Sequence, residues 1–104
     1  MNKTRVAVLG SGSWGSTFAS LVCSKTELIL WARDAGVADE INQQHTNQRY
    51  LQGMKLSPHL RADVSLQSCA ANADVLVVAV PSHGFREVLL QARPHLAPGA
   101  PIVS

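Results

Sequence analysis

The first fifteen residues constrain the fold more tightly than anything that follows them. An apolar run, Val6-Ala7-Val8-Leu9, empties directly into Gly10-Ser11-Gly12-Ser13-Trp14-Gly15. β-Favouring and small apolar residues followed by glycines at the spacing G-x-G-x-x-G describe a buried strand turning sharply into a helix. Gly10 permits the turn, Gly12 lets the backbone approach a pyrophosphate with no Cβ in the way, and Gly15 allows the helix to pack closely on the strand. The first-turn amides of such a helix lack intrahelical partners, and its dipole places partial positive charge at the same point, so an anion is favoured there. A tight strand-to-helix turn with no ligand would use the same glycines, and the downstream chain has to decide between the two.

Composition narrows the partners. At 104 residues the chain forms one domain, 1–104, long enough for a core but short for a complete dinucleotide-binding enzyme. With 46% hydrophobic and 15% charged residues, it reads as a globular protein containing much buried strand. A net charge of +2, spread over nine basic and seven acidic residues, leaves no footprint for nucleic acid. Cys23 and Cys69 stand far apart with no C-x-x-C, which argues against zinc or a disulfide framework and for reduced, cytoplasmic thiols. Lys3 and Arg5 before an apolar stretch imitate a signal peptide, but glycines and serines from Gly10 to Ser16 interrupt it. No stretch approaches the roughly 18 to 20 apolar residues of a membrane span.

Along the glycine-led helix, Trp14, Phe18, Leu21 and Val22 share one face, while Ala19 keeps the strand-facing side small. The Trp14 side chain is expected in the core or a subunit contact, and its backbone amide, with that of Ser13, at the ligand. A second continuous apolar run, Leu28-Ile29-Leu30-Trp31, is short enough for a strand buried on both faces. About 20 positions after the first glycine, a dinucleotide site usually carries Asp or Glu for the adenosine ribose hydroxyls. Ala32 occupies that place and Arg33 follows it. Without the carboxylate nothing repels a 2′-phosphate, and the Arg33 guanidinium offers a charge-matched fork for one, so the pattern favours NADP over NAD. Asp34 suits the N-cap of the next helix, which carries Val37, Ile41 and His45, with Gly53 as a natural stop for the segment.

Beyond Ser57-Pro58 lie a weak strand around Ala62 to Leu66 and a short helix from Gln67 to Ala73. The strongest strand of the chain, Val75-Leu76-Val77-Val78-Ala79-Val80, stops at Pro81. A further helix, with Phe85, Val88 and Leu89 on one face, has Ser82 or His83 placed to cap it. After a loop with Pro94, Pro98, Gly99 and Pro101, Ile102-Val103-Ser104 reads as a fifth strand cut off as it begins. Strands alternating with helices predict an α/β, doubly wound parallel sheet in the order 3-2-1-4-5 with right-handed crossovers. The ligand crevice should lie at the carboxyl ends of the strands.

Together Gly10-Ser-Gly-Ser-Trp-Gly15, Leu30-Trp31-Ala32-Arg33, Ile41-Asn42 with Asn47 and Tyr50-Leu51 before Gly53, and Ala79-Val80-Pro81-Ser82-His83-Gly84-Phe85-Arg86 resemble the NAD(P)-dependent glycerol-3-phosphate dehydrogenases of bacterial type. The last segment is the most specific. The resemblance runs over nearly the whole chain and corresponds to about the first third of such an enzyme. It implies hydride transfer between NAD or NADP and the dihydroxyacetone phosphate / sn-glycerol 3-phosphate pair, feeding phospholipid synthesis. Carried over by position, Ser13 and Trp14 would contact the cofactor phosphates, Arg33 the adenosine end, and Pro81, Ser82 and Phe85 the border of the crevice. The family's catalytic lysines match nothing up to Ser104, so these residues alone are expected to bind cofactor without turnover. A C-terminal substrate domain is expected to be missing, and the chain to self-associate through its apolar sheet edge. Gln52 stands where the family often has proline. Two rival readings are a hydroxyacyl-CoA or sugar-acid dehydrogenase, which would carry an acidic residue at Ala32, and a non-catalytic nucleotide-binding module.

Overall fold

A computed structural model describes residues 4–104. Five parallel strands form the main sheet. They are β1 (Arg5–Leu9), β2 (Glu27–Trp31), β5 (Ala62–Asp63), β6 (Val75–Val78) and β7 (Ile102–Val103), standing side by side as β5-β2-β1-β6-β7. Among the parallel strands alone this is the order third, second, first, fourth, fifth. Helices α1 (Ser13–Val22), α2 (Ala35–Gln44), α3 (Leu66–Ala70) and α4 (Ser82–Ala92) make the crossovers, with a 3₁₀ turn at Arg93–His95 after α4.

Side-chain alternation along the strands divides the core in two. Val6 and Val8 of β1 face one way and pack with Leu30, Ala19, Val37 and Ile41 beneath α1 and α2. Ala7 and Leu9 face the other way, with Leu76 and Val78, against Cys69, Ala70, Val88 and Ala92 of α3 and α4. Burial on both faces is why β1 and β6 read as unbroken apolar runs rather than alternating ones.

Three local expectations are corrected. The first concerns the chain after α2, which does not continue toward Gly53. His45 ends the helix in the left-handed region (φ 61°, ψ 38°), its N–H donating to the Glu40 and Ile41 carbonyls. An antiparallel hairpin follows, β3 (Thr46–Asn47) against β4 (Leu51–Lys55), and Gly53 (φ 75°) lies inside β4. The Glu40 carboxylate organises it, accepting from Thr46 Oγ1 at 2.6 Å and from the Gln48 N–H at 2.8 Å. Second, the apolar stripe on α1 is split: Leu21 is 72% and Trp14 54% exposed, while Phe18, on which Trp14 stacks, is half-buried against the core beneath α1 and α2. Gly15 and Ala19 take the sheet-facing side as expected, with Ser16 beside them, because only small residues let α1 lie close on the sheet. Third, α4 receives no side-chain cap from Ser82 or His83, since Pro81 is its N-cap residue.

Candidate functional site

The carboxyl ends of β1, β2 and β6 open together into a cleft of about 700 Å³, within the size range of small-ligand sites. Gly10, Gly12, Ser13, Trp14, Arg33 and Pro81 all line it. Gly10 adopts φ 122°, and a Cβ there would come within 2.7 Å of the Ala79 carbonyl oxygen, so the close approach of the chain beyond β1 to that beyond β6 requires glycine. Gly15 lies under the loop rather than in the cleft. A Cβ on it would collide with the Gly10 carbonyl oxygen. No atom lies within 4 Å of where a Gly12 Cβ would stand, so that backbone faces open space.

The helix start in this cleft is bare. Gly12 is the N-cap of α1 and supplies no side-chain hydrogen bond, which leaves the first-turn amides available to an outside acceptor. Gly-rich backbone, free amides and the positive end of a helix dipole are what a phosphate group requires.

Arg33 projects from the end of β2, its guanidinium carbon 5.5 Å from the centre of the Trp31 ring. Trp31 is itself pinned, its indole N–H donating to the Val64 carbonyl at 2.9 Å. Asp34, the nearest carboxylate in sequence, is engaged elsewhere. It accepts from the Gly36 N–H at 2.7 Å as the cap of α2, and pairs with Arg49 at 3.0 Å. The Gly36 amide first, and then the Arg49 guanidinium, hold its carboxyl below the ordinary value of 3.8. Arg49 is raised in turn by Asp34. Arg33 makes no ion pair among the described residues, and is left with its charge unmatched beside a bare helix start.

Besides Gly15, two expected residues lie outside the lining. Ser82 occupies the exposed first position of α4, and Phe85 packs against the α3/α4 side of the core. In their place the α4 side presents His83, Gly84 and Glu87. His83 and Gly84 stand within the segment already singled out, between the expected Ser82 and Phe85. Tyr50 reaches the cleft from the hairpin, and its only sequence signal was membership of the Tyr50-Leu51 pair. The cleft lining contains no lysine and no cysteine among the described residues. They also hold no cluster of three metal-ligating side chains and no helix long and apolar enough to cross a membrane.

Comparison with known proteins agrees with this geometry. Glycerol-3-phosphate dehydrogenase (NAD(P)+) 2 of Sphingopyxis alaskensis is 47% identical over 102 residues, which are 98% of this chain and 31% of that protein. A glycerol-3-phosphate dehydrogenase (NAD(P)+) of Mycobacterium avium is 45% identical over 105 residues, 100% of this chain and 31% of its own. The crystal structure of glycerol-3-phosphate dehydrogenase from Coxiella burnetii superposes with a TM-score of 0.82 at 29% identity, covering 96% of this chain and 31% of that one. The chain therefore spans about a third of the length of the relatives it matches. Residues 5–104 match the family described as NAD-dependent glycerol-3-phosphate dehydrogenase N-terminus, and the chain belongs to that family.

Proposed function

We propose that the cleft binds a nicotinamide adenine dinucleotide, NADP in preference to NAD, and that residues 1–104 serve as the cofactor-binding domain of an oxidoreductase interconverting dihydroxyacetone phosphate and sn-glycerol 3-phosphate. The names of the relatives support the reaction class. Gly10, Gly12, Ser13 and Trp14 would hold the pyrophosphate, with Gly15 setting the helix behind it. Pro81 would border the far side of the crevice, with Ser82 and Phe85 shaping it from beside and beneath. The nicotinamide ring supplies or accepts the hydride when bound. The titratable groups of this lining among the described residues are His83, Glu87, Arg33 and Tyr50. The phosphorylated substrate, a cytoplasmic setting supported by the free thiols Cys23 and Cys69, and self-association through the exposed Ile102 and Val103 of β7 complete the reading.

One observation carries the preference for NADP. Arg33 stands unpaired at the end of β2, immediately after an alanine in the place a ribose-binding carboxylate would take. Titrating the chain with NADPH and NADH by quenching of tryptophan fluorescence tests it. Arg33→Ala should weaken NADPH by about 10- to 100-fold and NADH far less. Equal losses for both would show that Arg33 does not read the 2′-phosphate, and the absence of saturable binding to either would overturn the dinucleotide site.

A further inference from the structure

We propose that Asn47, in the β3–β4 hairpin, is a positioning residue for the phosphate-binding loop: by holding the Ser11 carbonyl toward the interior, it aims the Gly12 N–H into the cleft. The inference rests on the reading of that cleft as a dinucleotide site.

Asn47 is fully buried, as is Ser16. Its side-chain amide donates to the Ser11 carbonyl at 2.8 Å and to Ser16 Oγ at 3.0 Å, and Ser16 Oγ donates to the same Ser11 carbonyl at 3.0 Å. These three bonds form a closed ring. The Ser11 oxygen can only accept, so the Asn47 nitrogen rather than its oxygen must face it, and both lone pairs of that carbonyl are occupied. In a planar trans peptide the C=O and the following N–H point in opposite directions. With the Ser11 carbonyl turned into the buried network, the Gly12 N–H of the same peptide is turned outward, where Ser11 and Gly12 both line the cleft. That N–H has no acceptor among the described residues. The ring also keeps a carbonyl's negative end out of an anion site.

The Asn47 amide is retained at a cost. Its Oδ1 is buried with no donor among the described residues, and a buried unpartnered acceptor is unfavourable. A side chain needed only to fill the space could be apolar. Asn47 accepts an orphaned oxygen for the sake of two donations from its nitrogen, both of which end on the loop and helix that form the cofactor site. The partners are 36 and 31 residues away in sequence, so the bonds tie the hairpin to the loop.

The test uses the 104-residue chain, with folding followed by circular dichroism. NADPH affinity should fall about 10-fold in Asn47→Ala and about 100-fold in the isosteric Asn47→Asp, which replaces the donor by a charged acceptor facing the Ser11 carbonyl. Ser16→Ala, of similar volume and compatible with a helix, removes two of the three bonds and leaves Asn47 alone on the Ser11 carbonyl, so it should lose about 3-fold, and it decides the matter should the Asn47 variants fail to fold. Amide NMR supplies a readout that general destabilisation would not move. Inorganic pyrophosphate should shift the Gly12 N–H in the unsubstituted chain and in Ser16→Ala, but not in folded Asn47→Ala. Folded Asn47 variants with unchanged NADPH affinity and an unchanged Gly12 response, or, should those variants fail to fold, Ser16→Ala with unchanged NADPH affinity, would overturn the role of Asn47 and leave the dinucleotide site standing. An unsubstituted chain that binds neither NADPH nor pyrophosphate would overturn the site itself.

Discussion

Helices α1 and α2 both begin at the carboxyl ends of neighbouring parallel strands, yet they begin in opposite ways. At α2 the chain closes its own helix: Asp34 accepts the Gly36 N–H, and Arg49 braces the carboxylate. At α1 the capping position is Gly12, with no side chain to offer. The same division recurs across the sheet, where α3 is capped by Ser65, accepting from the Ser68 N–H at 3.1 Å, and α4 starts at Pro81 without a side-chain cap. Both bare starts contribute to the cleft, and neither capping residue lines it. A missing cap in a well-packed domain thus marks where an outside acceptor is expected to complete the helix.

Four substitutions or treatments would break or sharpen that contrast. The largest effect is expected from Gly15→Ala, which forces α1 off the Gly10 carbonyl it rests against. Urea denaturation should show a loss of about 3 kcal/mol, the upper part of the usual range for overpacking. A near-neutral result would mean the close seat of α1 is not required. Gly12→Asp should convert the α1 start into one of the α2 kind, since the site has room for a side chain and its φ of −67° is ordinary. Stability should rise by a few tenths of a kcal/mol while NADPH affinity falls about 100-fold, the introduced carboxylate competing with the pyrophosphate for the same amides. Unimpaired NADPH binding would separate the bare helix start from the ligand.

The converse change is Asp34→Ala, which bares the start of α2. The urea midpoint should drop modestly with NADPH affinity unaltered. Because the folded-state pKa of Asp34 is lowered beneath 3.8, its contribution is fully present above that value and vanishes as pH falls through the lowered one. The gap between the native chain and Asp34→Ala should therefore close in acid, and one that persists there would deny the ionised cap its part. The smallest effect is expected at Cys69 on the capped helix α3. Burial, and then the charge of Asp63, push its thiol up to about 12, so iodoacetamide at neutral pH should leave it unmodified in the folded chain. Rapid alkylation under native conditions would show that α3 opens.

The parts of this site that could be read from sequence are those whose causes are local. The glycine loop, the apolar runs of β1, β2 and β6, and Asp34 beside Gly36 each declare themselves within a few residues. What escaped depends on contacts distant along the chain. Nothing between Thr46 and Lys55 alternates clearly enough to signal a hairpin, and it forms because the Glu40 carboxylate reaches Thr46 and Gln48. Tyr50 enters the cleft only by riding on that hairpin. The outward face of α1 was misleading for a different reason. Trp14 and Leu21 are larger than their buried counterparts, but the short distance between α1 and the sheet admits only Gly15, Ser16 and Ala19. Close approach, rather than hydrophobicity, chose the inward face.

The Asn47 ring also has a consequence for local opening. Any fluctuation that detaches β3 releases the Ser11 carbonyl, so the loop's readiness for phosphate is tied to the free energy of opening a two-stranded ribbon. Linkage then runs in both directions: a dinucleotide that requires the ordered loop should slow amide hydrogen exchange in the hairpin, including at the Gly53 N–H bonded to Gln48, a bond that lies outside the cleft.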